Sequence, residues 1–377
     1  MAHTSGEAIS AADIDRTFSR IQNGVYQYPA GLAVALTSQI GVEQLSAELQ
    51  NILITLIGNY GGLGSYDVDH TDISSMAEGA STIVLLGKDA ASGIREVFAI
   101  DAITQVLTAT TPVVVDSIPT IKRDYPDMIK CGDYVWAIGA SGADTNMVTK
   151  IHVDTLAATG FEATADTAAV VTAVATDNSY IYAFVKEGTY MYPNTFVKMA
   201  QNGSRVGLIY SGLATTGAVS VCVSSNGYLY ASFDDATVKQ VRKYDTSPVN
   251  GLQKTFSVAA GDFLDTPTFV CPVDEYVYVL NGLYLHRISC TADTSTLVHT
   301  YAFAPDRLYY DGVVLWVAAG DKLYKCDKLG NIIQTLTPVT GQDIQAIRKT
   351  FAFLFTTYVD EASTDDITKM YPGLPVI

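Results

Sequence analysis

The sequence predicts an all-β chain: a seven-bladed β-propeller with a small helical N-terminal extension. Three observations carry that expectation. A short aromatic-rich strand recurs seven times at intervals of 37 to 52 residues. Six of the seven copies are followed by a strand that places a basic residue among apolar or polar neighbours, and the first copy departs, reading Arg95-Glu96-Val97-Phe98-Ala99-Ile100-Asp101. Near residue 72 the apolar pattern changes from helical spacing to strict alternation.

The helical part comes first. Ile14, Phe18 and Ile21 follow Ser10 and Asp13 at helical spacing, and Asn23-Gly24 closes the run. A second stretch places Val42, Leu45, Leu49, Ile52, Leu53, Leu56 and Ile57 on one side. Glu43, Gln44, Glu48, Gln50 and Asn51 take the other, which makes an amphipathic helix. Gly58 and Gly61-Gly62 stop it. Residues 1–65 are therefore expected to be a helical anchoring or oligomerisation region, with the seven apolar residues of the second helix as its docking face. Residues 66–78 follow as an acidic linker or a first-blade strand, and residues 79–377 as the propeller.

The repeat itself reads Thr82-Ile83-Val84-Leu85-Leu86, then Tyr134-Val135-Trp136-Ala137-Ile138, then Tyr180-Ile181-Tyr182-Ala183-Phe184. It continues as Tyr228-Leu229-Tyr230-Ala231-Ser232, Tyr276-Val277-Tyr278-Val279-Leu280, Val314-Leu315-Trp316-Val317-Ala318 and Phe351-Ala352-Phe353-Leu354-Phe355. The basic position after it is filled by Lys150, Lys198, Lys243, Arg287, Lys325 and Lys369. Turn residues such as Asn202-Gly203 and Leu329-Gly330-Asn331 lead to a further strand, and an apolar segment precedes each aromatic one. Four strands per unit at this period is the signature of a propeller blade. After Lys369-Met370-Tyr371 only residues 372–377 remain for an outer strand. Either that tail or residues 66–78 are expected to close the ring.

The Tyr-x-Tyr/Trp strand resembles the blades of the YVTN and NHL-like propeller superfamily, over about four-fifths of the chain. The Gly-His and Trp-Asp pairs of WD repeats are absent, as is the kelch double glycine in register with the repeat. The resemblance implies an architecture and no particular activity.

Composition narrows the function. The 377 residues carry 39 acids against 23 bases, a net charge of −16, and charged residues are only 16%. Phosphate contacts need clustered Lys and Arg, so nucleic acid is excluded as a partner. No run reaches the ~20 apolar residues of a membrane helix, so no membrane insertion is expected. The start, Met1-Ala2-His3-Thr4, has no basic region and no adjoining apolar stretch, so no ordinary signal peptide is recognisable. The first 80 residues hold two bases, Arg16 and Arg20, against nine acids. A chain this poor in charge and rich in apolar residues is expected to bury surface against neighbours.

Motifs of chemistry are few. There is no HExxH, no GxSxG and no P-loop; Gly87-Lys88 is followed by Asp89. The glycines of residues 59–64 follow a helix rather than open one, so they offer no phosphate cradle. Asp67, Asp69 and Asp72 form the densest set of oxygen ligands and the weak candidates for Ca²⁺, without EF-hand spacing. The simpler reading is a solvated acidic linker. Asp234-Asp235, Asp360-Glu361 and Asp365-Asp366 read as turn residues. No acid recurs in the strands that would converge on a propeller centre, so no catalytic residue and no required cofactor is expected. The recurring basic position reads as an architectural repeat, half exposed at a sheet edge, and the Tyr/Trp series reads mostly as packing between blades. Five cysteines form no CxxC and read as buried free thiols, with Cys271 and Cys290 as the one pair to check for a disulfide.

The expectation that results is a non-enzymatic structural or binding protein. Its partners would be protein subunits of the same assembly, with surface carbohydrate as a further ligand. The organisation, a short N-terminal attachment region joined to a β-rich body, is similar to bacteriophage virion components (tail or capsid-associated), which implies host recognition and homo-oligomers. The alternatives are a subunit of an extracellular filament or surface layer, and a propeller glycan hydrolase or lyase.

Overall fold

In a computed structural model the described residues lie within 70–358, apart from residues 80–81, 90, 102–107, 109, 117–127, 140–145, 166–168, 187–193, 211–217, 235–238, 248–250, 337–340, 342 and 351–352. They form 26 strands and no helix. The expected N-terminal helices, with Val42, Leu45, Leu49, Ile52, Leu53, Leu56 and Ile57, fall outside the described residues.

Six sheets are complete four-stranded antiparallel blades, each built from consecutive strands. The first contains β1 (His70–Glu78), β2 (Thr82–Asp89), β3 (Arg95–Asp101) and β4 (Val113–Asp116). The second contains β5 (Met128–Cys131), β6 (Tyr134–Ile138), β7 (Met147–His152) and β8 (Ala158–Glu162). The third contains β9 (Val170–Thr176), β10 (Tyr180–Lys186), β11 (Thr195–Ala200) and β12 (Arg205–Tyr210). The fourth contains β13 (Ala218–Val223), β14 (Leu229–Asp234), β15 (Lys239–Tyr244) and β16 (Leu252–Ser257). The fifth contains β17 (Pro267–Val273), β18 (Tyr276–Asn281), β19 (Tyr284–Ser289) and β20 (Ser295–Thr300). The sixth contains β21 (Arg307–Tyr310), β22 (Leu315–Ala319), β23 (Lys322–Cys326) and β24 (Ile332–Leu336). The chain is a β-propeller.

The expectation of seven blades is corrected to six. The seventh copy of the repeat is a two-stranded sheet, β25 (Ile344–Thr350) paired with β26 (Phe353–Tyr358). Residues 359–377, which hold the expected Lys369-Met370 strand and the tail, lie outside the described residues. The two-stranded sheet stands in the ring between the sixth and first blades, with β25 against β21 on one side and β1 on the other. His70–Glu78 pairs with β2 as the innermost strand of the first blade rather than adding to the last sheet.

Every gap between neighbouring sheets is filled by its own apolar layer. Ile138, Val148 and Ile181 pack between the second and third blades, and Phe184, Phe196 and Phe233 between the third and fourth. Val314, Trp316, Ile344 and Ile347 join the sixth blade to the two-stranded sheet; Ala346 joins that sheet to Ile73 and Leu85 of the first. The second strand of each blade is thus buried on both faces. That is why it reads as a near-continuous apolar run rather than an alternating one, as in β2 and β10. The outermost strands have the opposite character: β8 and β24 are mostly exposed and β16 is half so.

One turn shows how closely the blades approach. Gly203, between β11 and β12, has φ +84°, and a Cβ there would lie 2.0 Å from the Phe161 ring of the preceding blade. Phe161 is itself stacked on Trp136, at 5.6 Å between centroids, and cannot swing away freely. Gly203→Ala combines left-handed strain with overpacking and is expected to cost about 2–4 kcal/mol. Urea unfolding of the variant checks this.

Candidate functional site

Three surfaces are built by the repeat: the seams between blades, the central cavity and the outer edges. The seams come first because they contain the recurring basic residues. Lys150, Lys198 and Lys243 lie directly across the sheet from Trp136, Tyr182 and Tyr230. Each ammonium sits over the ring two residues earlier: Lys150 over Tyr134 at 3.8 Å, Lys198 over Tyr180 at 4.0 Å and Lys243 over Tyr228 at 4.0 Å. Arg287 covers Tyr276 at 4.5 Å in the same way. Each lysine then donates to a backbone carbonyl of the next blade. The acceptors are Gln201 at 2.7 Å, Thr246 at 3.0 Å and Cys290 at 3.1 Å. In the fifth blade Tyr278 takes over, its hydroxyl donating to the Lys328 carbonyl at 2.6 Å. The basic position is therefore a seam fastener. Lys150, Lys198, Arg287 and Lys325 are half-exposed as expected, though on the third strand and not at the sheet edge; Lys243 is the correction, being buried and bonding Asp293 at 2.6 Å, and Lys369 lies outside the described residues.

The aromatic series divides by position. Trp136, Tyr182, Tyr230, Tyr278 and Trp316 are wholly buried. Tyr134, Tyr180, Tyr228 and Tyr276 are half-buried beneath the cations.

The cysteines are five buried free thiols, so Cys271 and Cys290 are not bonded to each other. Burial pushes the Cys271 thiol up to about 12 and Cys326 to about 11, and raises Cys222 and Cys290. At neutral pH these groups are protonated and poor nucleophiles. His286 on β19 is also buried, with Nδ1 3.4 Å from Ser295 Oγ. Desolvation holds its pKa below the ordinary 6.5. The unfolded chain therefore binds the proton more readily, and stability falls as pH drops below about 6.5. The depressed carboxyls of Asp89, Asp274 and Asp327 act in a lower window, below their ordinary 3.8. Urea midpoints at pH 7.5 and 5.0 are expected to differ, and His286→Asn to reduce that difference.

The second surface is a central cavity of about 440 Å³, lined by all seven innermost strands. Among its described lining residues there is no Asp or Glu. Its charged residues are Lys130 of β5, Arg307 of β21 and Arg348 of β25. Sequence reasoning missed these three. Each stands alone in an otherwise unremarkable inner strand, and only the ring brings them to one space. Asp67 and Asp69 lie outside the described residues, and Asp72 is on β1. Among the described residues no group of three or more His, Cys, Asp or Glu could hold a metal ion.

The third surface is the row of outer edges. Four of the six outermost strands carry a charged residue: Asp116 on β4, Glu162 on β8, Arg205 on β12 and Lys254 on β16. The other two, β20 and β24 of neighbouring blades, contain no Asp, Glu, Lys or Arg. They expose Leu297, Ile332 and Ile333, the last at 59%, with Leu329 in the turn before β24. The two edges are contiguous, since a Cβ at Gly330 of that turn would lie 2.5 Å from His299 Cβ on β20.

No family model matches the chain, and no curated protein matches it in sequence. Among solved structures it is similar to BamB from Moraxella catarrhalis, at 14% identity over 80% of this chain and 85% of that one, with a TM-score of 0.51. It is also similar to a chain in the crystal structure of a mitotic checkpoint complex, at 11% identity over 82% and 89%, with a TM-score of 0.55. At such identities the likeness establishes the propeller fold alone. As many as 815 chains of solved structures match, so the fold by itself selects no function.

Proposed function

We infer that this propeller is a non-enzymatic structural or binding subunit that joins a larger assembly through protein–protein contacts with copies of itself. The observation that carries the reading is the pair of adjacent outer strands β20 and β24, which carry no Asp, Glu, Lys or Arg and expose Leu297, Ile332 and Ile333. An exposed sheet edge offers unpaired backbone groups to any passing strand, and proteins ordinarily guard it with charge. Here four outer edges carry such a charge and two adjacent ones do not. The low charge content of the whole chain supports the same reading. So does the presence of a similar fold in a chain of the mitotic checkpoint complex.

The setting we favour is a virion, as a phage tail or capsid-associated component, with residues 1–65 as a second attachment element. The support is the organisation of the sequence, an acidic N-terminal segment without lysine joined to a β-rich body. In that setting the exposed loops would meet a host-surface protein or glycan. A second reading, an extracellular filament or surface-layer subunit, is favoured by β26. Among the described residues no strand lies beyond it, so a neighbouring copy could extend that sheet. No cofactor is required in either case.

Native mass by light scattering tests the proposal. The full chain is expected to exceed the monomer mass, and the double variant L297K/I333K to be monomeric with unchanged circular dichroism. A monomeric wild type at high concentration, or a variant of unchanged mass, would contradict it.

A further inference from the structure

We propose that the central cavity is a binding site for a small organic anion with an apolar body. The cavity's charge has the opposite sign to the chain's. The chain as a whole carries −16, yet among the described residues every charged one lining this space is a cation: Lys130, Arg307 and Arg348. None of the three is within ion-pair distance of a carboxylate among the described residues. Arg307 is steadied by backbone alone, its Nε donating to the Gln345 carbonyl at 3.1 Å and its NH1 to that of Asp306 at 3.0 Å. Arg348 lies beside the Tyr309 ring, at 5.8 Å.

The cations are also grouped. They come from the second and sixth blades and the two-stranded sheet, and the first blade completes that arc. The first blade contributes Ser74, whose hydroxyl accepts from the Arg95 guanidinium at 3.2 Å. Arg95 is 6% exposed and lies just behind the wall. The opposite arc, from the third, fourth and fifth blades, contributes no charged residue and is mainly aliphatic, with Val221, Phe269 and Pro272 among its lining.

Confined cations without counter-charges attract an anion, because their fields are poorly screened in a narrow space. The apolar arc rewards a ligand that also removes hydrocarbon from water. A volume of about 440 Å³ is within the usual range for small-molecule sites and excludes a folded partner. The chemistry recognised is a carboxylate or phosphate head on a short aliphatic chain. This site is independent of the outer edges and does not rest on the assembly reading.

Calorimetric titration of the full chain with octyl phosphate, decanoate, inorganic phosphate and octyl glucoside tests the proposal. Octyl phosphate, decanoate or both are expected to bind, inorganic phosphate at least about tenfold more weakly, and the neutral glucoside not at all. Which of the two amphiphiles binds tighter identifies the head group. K130Q and R348Q are each expected to weaken binding about tenfold, and R348K to restore most of it. Ligand-induced rise in melting temperature gives a second readout on the same variants. Three results would overturn the proposal: no binding of either amphiphilic anion, equal binding of the glucoside, or unchanged affinity in the folded double variant K130Q/R348Q.

Discussion

Trp136→Ala is expected to lower the unfolding free energy by about 3–5 kcal/mol, the range for deleting a fully buried large aromatic. Trp136 is wholly buried in the layer between the second and third blades, where Phe161 stacks on it. The surrounding strands belong to two sheets, each anchored by its own hydrogen-bond ladder, so the site cannot collapse to fill the hole. Trp316 occupies the same place in the repeat and separates packing from polarity. Its indole Nε1 donates to Asp311 at 2.7 Å, whereas the Trp136 Nε1 has no partner among the described residues. Phenylalanine at each position removes a similar volume. Trp316→Phe is therefore expected to cost more than Trp136→Phe by about 1.5–3 kcal/mol, the value of a hydrogen bond to a charged group. Urea titrations of the three variants, with the slope checked for constancy, measure both differences.

Lys243→Met is expected to cost about 2–4 kcal/mol. The lysine side chain is 5% exposed, and its ammonium serves the Tyr228 ring, the Cys290 carbonyl and Asp293 together. Removing one member of a wholly buried ion pair costs about 3–5 kcal/mol, because the other charge is left stranded. Here Asp293 is 38% exposed and remains partly hydrated, which moves the expectation toward the lower end. The loss of the carbonyl contact and of a partly desolvated cation–π contact adds to it. A double-mutant cycle with Asp293→Asn isolates the ion pair from the rest. Lys150→Met, whose lysine is less buried and bonds a single carbonyl, is expected to cost less than Lys243→Met.

The repeat was legible because each blade solves the same packing problem. The Tyr-x-Tyr/Trp strand has to fill two inter-blade layers at once, and a doubly buried strand leaves a continuous apolar trace in the sequence. The basic position was equally visible, but its purpose was not. Lys198 reaches the Thr246 carbonyl one repeat further on, and nothing local in the sequence marks that acceptor. The blade count was misread for a related reason. Residues 351–355 carry the pattern of a second strand, and among the described residues that unit consists of β25 and β26 alone. The cavity could not be read at all. Lys130, Arg307 and Arg348 are separated by as many as 218 positions, and only ring closure makes them neighbours. The uncharged edges were readable in principle: the letters of residues 295–300 and 332–336 show them, once those strands are known to be outermost.

The claim on which the functional account depends is that β20 and β24 are covered in the native assembly. Amide hydrogen exchange of the full chain measures this directly, with β8 as the internal reference for an exposed outer strand. The account predicts that amides of β20 and β24 exchange at least about tenfold more slowly than those of β8, and that L297K/I333K abolishes the difference. Exchange in β20 and β24 as fast as in β8 in the wild-type protein would contradict it.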